Sequence, residues 1–303
     1  MAIIKIRNLT KKFKDLVATN SVNLEVEEGE CFGLLGPNGA GKTSLIRMIT
    51  GVSPPTSGDI WITGRDLRTN HREVKTIIGV VPQTDNLDPD LTVLQNLITF
   101  ARYFSIPKNE ARRRSLEVLS LFKLEDKRNS RIKELSGGMK RRLIIARGLI
   151  NTPQIMILDE PTIGLDPQTK HLVWQKLKEL KSHGITELLC TQNMEEATSL
   201  CDRIAIMHQG KILSLDTPQG LISRYVGNKV WEIEINPGER DRVIQELVSR
   251  KLDFEDAGST IQVFHIDGDE LTRELKGYRE SLRWKPATLE DVFFRLTGRS
   301  LAE

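Results

Sequence analysis

The 303 residues, 39% hydrophobic and 28% charged, describe a globular chain of one large domain or two unequal ones and exclude intrinsic disorder. No apolar run reaches the roughly 18 residues that cross a bilayer, and the opening MAIIKIRNLT lacks the apolar stretch of a secretory signal, so a cytosolic location is expected. The formal charge of +3, from 44 basic and 41 acidic residues, is far from the excess of a chain that coats nucleic acid.

In chain order, extended segments are predicted at 3–13 and 22–26, followed by the apolar strand Cys31-Phe32-Gly33-Leu34-Leu35. A glycine-rich turn interrupts that strand. Leu45, Ile46, Met48 and Ile49 then fall at helical spacing until Gly51, giving strand, loop, helix. From Leu91 to Leu124 the pattern is helical, with Leu94, Leu97, Ile98 and Ala101 on one face and Thr92 with Gln95 as a capping box. A second helix follows Pro107. Beyond this insert, Ile155-Met156-Ile157-Leu158 reads as a strand buried in a parallel sheet, and helix and strand alternate to about Leu215. After Gly227, strands at 230–235 and 260–266 with two or three helices form a small α+β appendix. From Lys229 onward the charge is about −4, against about +7 for the preceding body, in keeping with a boundary near Gly227. Cys31, Cys190 and Cys201 lie among apolar neighbours at no metal-type spacing and read as small buried hydrophobes.

Gly36-Pro-Asn-Gly-Ala-Gly-Lys-Thr43 sits between a strand and a helix, the context of a phosphate-binding loop. Gly36, Gly39 and Gly41 allow backbone N–H groups to turn inward around phosphate oxygens, and the helix N-terminus adds partial positive charge. Lys42 reaches the β- and γ-phosphates, Thr43 suits Mg²⁺, and Asn38 within the loop and Ser44 just after it complete the nucleotide-binding set. In ILDEP the apolar strand ends in two carboxylates, where ligands of parallel sheets collect: Asp159 is placed to hold Mg²⁺, and Glu160 to orient or deprotonate the attacking water. In LSGGMKRR, Ser136 caps a helix, and Gly137 and Gly138 leave its first N–H groups open to a phosphate; alone, this is also how any helix starts.

The order of GPNGAGKT, Gln83 in VVPQ, LSGG, ILDEP and GLDP (Gly164 to Pro167) resembles the ATP-binding cassette, or ABC, ATPases over about residues 2–225. The resemblance implies a P-loop NTPase α/β core with an N-terminal antiparallel β region and a helical insert at about 84–150. That core domain would span 1–227 and the α+β accessory domain 228–303. It further implies a head-to-tail dimer with a second copy or a paralogue. Each ATP would then lie between the phosphate loop of one chain and Ser136 to Gly138 of the other. By the same resemblance Gln83 contacts Mg²⁺ and the water, Asp166 communicates across the dimer, and Phe13 stacks on adenine. Phe13 also fits a core position on a strand. Aligned by its MEEA and CDR segments, the chain has Gln192 where most relatives have the histidine that contacts the γ-phosphate.

PATLEDVFFRLTGR resembles the ending of ATPases that serve exporters of the drug-resistance and nodulation-factor types, with Leu289, Val292, Phe293 and Leu296 at helical spacing. Together these imply a Mg²⁺- and ATP-dependent hydrolase, peripheral on the cytoplasmic face of the membrane, that drives separate transmembrane permease subunits docked on the part of the helical insert from about Gln83 to Arg131. An ABC ATPase of nucleic acid or ribosomes would show tandem cassettes or a coiled-coil insertion, and a small-molecule kinase has no need of LSGGMKRR. The clusters Lys11-Lys12 and Arg112-Arg113-Arg114 lack interleaved aromatics and read as solvated faces, so no nucleic-acid partner is expected.

Overall fold

The computed structural model describes residues 1–234, 238–258, 260–266, 271 and 282–298. They divide into two compact units, Met1–Leu215 and Asp216–Glu303. The first begins with a long antiparallel hairpin, β1 (Ala2–Phe13) and β2 (Leu16–Glu27), in which Ile4, Ile6, Leu24 and Val26 point into the core while Lys5 and Arg7 pair with Glu25 outside. β4 (Ser57–Ile62) and β5 (Arg65–Asp66) extend it to a sheet of order β2-β1-β4-β5.

The central sheet is built from β3 (Cys31–Leu35), β6 (Ile78–Val81), β7 (Ile155–Asp159), β8 (Thr186–Thr191), β9 (Arg203–His208) and β10 (Lys211–Asp216), in the order β10-β9-β3-β8-β7-β6. The four pairings that join β9, β3, β8, β7 and β6 are all parallel, so five carboxyl ends share one rim. Every residue of β3, β7 and β8 is buried, so both faces of the sheet are covered; this suits the apolar runs of β3 and of Ile155–Leu158 in β7, while β8 also buries Thr186, Glu187 and Thr191. α1 (Lys42–Ile49) follows β3, and its Leu45, Met48 and Ile49 share one core with Ile4 and Ile6 of the hairpin and Phe32 and Leu34 of the sheet.

α2 (His71–Ile77) leads into β6. The insert then packs α3 (Val93–Arg102), α4 (Lys108–Leu121) and α5 (Gly137–Gly148) together. At the start of α3, Thr92 and Gln95 form the expected reciprocal cap. On α4, Arg113 and Arg114 pair with Glu110 and Arg113 also with Glu117, so two of the three arginines of this run are paired along their own helix. α6 (Pro167–Ser182) and α7 (Met194–Leu200) complete the first unit. All three cysteines are free and buried.

The second unit holds α8 (Pro218–Tyr225), β11 (Lys229–Glu234), α9 (Arg240–Ser249), β12 (Asp253–Asp256), β13 (Thr260–Phe264), β14 (Leu282–Pro286) and a helix at Leu289–Thr297. Its antiparallel sheet, β12-β13-β11-β14, covers a core of Ile233, Val243, Leu247, Ile261 and Val263. Only β11 and β13 were legible as strands. β12 (DFED) and β14 (LRWKP) lie at the ends of the order, where charged side chains are tolerated and apolar alternation is weak. In the Leu289–Thr297 helix, Leu289, Val292 and Phe293 are buried; Ile235 and Arg299 lie outside the described residues.

Candidate active site

The turn from β3 into α1 is shaped by two close backbone contacts. A Cβ at Gly36 would lie 2.2 Å from the Met207 carbonyl oxygen, and one at Gly41 would lie 2.2 Å from that of Ala18. Gly39 and Gly41 also adopt φ of 80° and 104°, the region open to glycine at little cost. The loop is thereby pressed between β9 and β2 with the N-terminus of α1 at its floor. Lys42 is buried there, its Nζ donating to the carbonyls of Gly36 and Pro37 and standing 3.7 Å from Glu160 Oε1.

Facing it, β7 ends in Asp159 and Glu160. The Glu160 N–H still donates to the Cys190 carbonyl at 2.8 Å, as a strand residue would, but its φ of 48° turns the chain out of the sheet. A residue with a side chain adopts that conformation at a cost of about 1–2 kcal/mol. Thr43 Oγ1 donates to Asp159 Oδ2 at 3.4 Å and Thr191 Oγ1 to Glu160 Oε2 at 3.4 Å. Burial pushes both carboxyls above their ordinary range and the Lys42 ammonium opposes the rise. At Glu160 the charges of Glu196 and Asp159 raise it further, while the main-chain N–H of Gln192 favours the ionised form.

Lys42, Thr43, Asp159 and Glu160 line a cavity of about 370 Å³ together with Asn38, Gly39, Ser44 and Gln83. Gly36 lies beneath it, its carbonyl on Lys42. Gln192 links β8 to α7, half-buried beside Glu160 and outside the cavity lining. Phe13 stands at the half-exposed end of β1, with Lys11 Nζ 5.0 Å from its ring centroid, and the cavity wall on that side is Leu16, Val17 and Ala18.

Ser136, Gly137, Gly138 and Asp166 do not line the cavity. Ser136 caps α5 by accepting from Met139 N–H, and Asp166 caps α6 by accepting from Thr169 N–H at 3.0 Å; hydrogen bonding to the Thr169 side chain, and then to its main chain, holds the Asp166 carboxyl below the usual range. The two helix starts adjoin, since a Cβ on Gly138 would come within 3.1 Å of Thr169. One chain thus carries the phosphate loop in the cavity and, apart from it, two adjoining helix starts.

Sequence reasoning missed three contributors. Leu16–Ala18 form one, and the turn Gln209–Gly210 another: both of its residues have positive φ, and Gly210 donates to the Ala40 carbonyl at 2.9 Å. The third is Arg141 of α5, buried behind the two carboxylates. Its Nε donates to the Pro161 carbonyl at 2.7 Å, one Nη to those of Pro82 and Gln83 at 2.5 and 3.3 Å, and the other to those of Asp159 and Glu160 at 2.8 Å each. The Gln-Gly pair was a visible turn signal; nothing local marked Arg141 as buried.

Residues 19–163 match the ABC transporter family. Over its full length the chain is 44% identical to the Nod factor export ATP-binding protein I of Burkholderia orbicola (strain AU 1054), 99% of which it covers. It is 42% identical to the protein of the same name from Rhizobium sp. (strain N33), covering 98% of each. Among solved structures, the dimeric ATP-binding cassette MJ0796 in a post-hydrolysis state with ADP and Pi is 31% identical, matching 71% of this chain and 98% of its own with a TM-score of 0.66. CbiO1 of Clostridium perfringens, part of the transporter complex cbiONQ, is 26% identical over 82% of this chain and 97% of its own, with a TM-score of 0.67. With the phosphate loop, the strand-end carboxylates and full-length relatives in agreement, the chain belongs to the ABC transporter family as an ATP-binding, ATP-hydrolysing protein.

Proposed function

We propose that this ATP hydrolase powers export through separate transmembrane subunits, with Nod factor, for which its relatives are named, as the class of cargo. The observation that carries the reading is the separation, on one chain, of the phosphate loop in its cavity from the exposed helix starts at Ser136 and Asp166 outside it. A single phosphate loop cannot surround a triphosphate, and Ser136–Gly138 supply the missing N–H groups to the nucleotide of a second copy or a paralogue. Closure of that dimer around two ATP is the power stroke. Asp166, beside Gly138, lies on the same surface and carries communication between the two halves.

Within each site, Lys42 and the N–H groups of the loop bind the β- and γ-phosphates, Asn38 and Ser44 flank them, and Phe13 offers adenine a stacking face beside Leu16 and Val17. Thr43, Asp159 and Gln83 present a hydroxyl, a carboxylate and an amide oxygen, a hard oxygen set that fits Mg²⁺ with phosphate and water completing its shell. Glu160 Oε1 makes no hydrogen bond among the described residues, leaving it ready to accept a proton from water. The bound Mg²⁺ would neutralise charge on the transferring phosphoryl group.

No helix of the described residues is long and apolar enough to cross a membrane. The proposed seat of the permease is a second cavity, of about 630 Å³, between the insert and the core, lined by Val52, Arg72, Lys75, Phe100, Tyr103 and Phe104 among others. Val52 and Tyr103 are 72% and 81% exposed, and the neighbouring cations suit a short cytoplasmic helix with apolar and acidic side chains. In this reading the chain sits at the cytoplasmic face, held there by the permease. The test is reconstitution in vesicles with the permease: hydrolysis should rise with Nod factor, and Nod factor should cross only when Mg-ATP is supplied. Cargo movement that is unchanged without this chain would overturn the proposal.

Gln192 is proposed to contact the γ-phosphate with its amide, which donates a hydrogen bond and carries no titrating charge. Gln192→Ala should lower steady-state phosphate release about 3- to 10-fold, the worth of one hydrogen bond, while Gln192→His should preserve or raise it. Equal rates for wild type and Gln192→Ala, with the permease present, would remove this side chain from the mechanism.

A further inference from the structure

We propose that Arg141 is a positioning residue for ATP hydrolysis, a clamp that fixes the main chain carrying Gln83 to the main chain carrying Asp159 and Glu160. Its guanidinium is spent entirely on backbone: five carbonyl oxygens, two from Pro82–Gln83 and three from Asp159–Pro161, at 2.5 to 3.3 Å. The two segments leave the ends of neighbouring parallel strands, β6 and β7, where the ladder of strand hydrogen bonds has stopped. Beyond that point the loop holding Gln83 has few ties to the strand end. One planar fork with five N–H groups spans the gap, a geometry that an ammonium cannot reproduce.

The burial of this cation points the same way. Arg141 is 6% exposed and faces no carboxylate within hydrogen-bonding reach; the nearby charges of Asp159, Glu196, Glu160 and Asp85 act at longer range. A buried cation is costly unless its donors are filled, and here they are filled by the segments that carry the proposed water-orienting and proton-accepting groups. Arg147, two turns along the same helix, adds a second tie by donating to the carbonyl and side-chain oxygens of Asn86 and lying over the ring of Phe100. α5 thus grips residues 82–86 at both ends. Removing Arg141 leaves the phosphate loop intact and frees Gln83 to drift from Glu160, and a misplacement of about 1 Å is enough to cost on the order of 10²-fold in rate.

The inference rests on the roles proposed for Gln83 and Glu160. Its test is the full chain with its permease, measuring hydrolysis per nucleotide site, with sites counted by titration with a fluorescent ATP analogue. Arg141→Met should lower kcat about 10- to 100-fold with analogue affinity within about threefold of wild type. Arg141→Lys keeps the charge but reaches fewer carbonyls, and its kcat should fall between the two. A residue that only stabilises the fold would reduce the number of sites and leave kcat per site unchanged, and that result would overturn the proposal. Should Arg141→Met not fold, Arg141→Lys decides: wild-type kcat per site in that variant also overturns it. A Glu160→Gln control that hydrolyses at the wild-type rate would instead show that the reading of the site itself has failed.

Discussion

Replacing Glu160 by glutamine is expected to lower Mg-ATP hydrolysis by about 10²- to 10⁴-fold while ATP binding persists. The substitution keeps the size of the side chain and its place at the end of β7 but removes the proton acceptor. The environment supports this assignment, since burial and then the neighbouring Glu196 and Asp159 raise the carboxyl above its ordinary range while Lys42 opposes the rise. A base tuned in that direction accepts a proton from water more readily than an exposed glutamate. Because hydrolysis would be what reopens the proposed dimer closed around nucleotide, the variant should also accumulate as a dimer in Mg-ATP. Size exclusion provides the measurement. Hydrolysis at the wild-type rate would contradict the assignment, and a strictly monomeric profile even with the permease present would contradict the closure.

Lys42→Ala should be comparably damaging for a different reason. Its ammonium is buried against two loop carbonyls and 3.7 Å from Glu160, where it lowers the pKa of both acids. Without it, three negative groups, the two carboxylates and the incoming triphosphate, meet with no fixed cation between them. Both acids then shift further up, toward the protonated form that serves neither metal binding nor proton acceptance. Loss of one such preorganised donor costs about 10²- to 10³-fold in kcat, and weakened nucleotide binding adds to it. Phosphate release together with equilibrium dialysis of ATP separates the two effects. A Lys42→Ala protein that binds and hydrolyses ATP normally would show that this loop is not the site.

The phosphate loop and the strand-end carboxylates were legible because their chemistry is local: a glycine pattern between strand and helix, and two acids directly after an apolar run. The reciprocal cap of Thr92 and Gln95 was legible for the same reason, spanning only four residues. Arg141 was not, since its five acceptors lie 18 to 59 positions away in sequence and only the parallel pairing of β6 with β7 brings them to one point. Leu16–Ala18 escaped notice likewise, because an apolar hairpin tip looks the same whether it meets solvent or a nucleotide. In the second unit the edge strands were hidden by their charges, whereas the helix at Leu289–Thr297 announced itself through its apolar spacing.

The contacts at Gly36 and Gly41 bear on the entropy of binding. Many phosphate sites order a flexible loop around their ligand and lose part of the interaction energy in doing so. Here the loop is held from both sides by carbonyls of β9 and β2, and its lysine is already anchored to its own backbone. The conformational cost was met when the chain folded, so ATP meets a mould already set. The same rigidity makes the turn intolerant: a single methyl group at either glycine displaces a strand, not merely a loop.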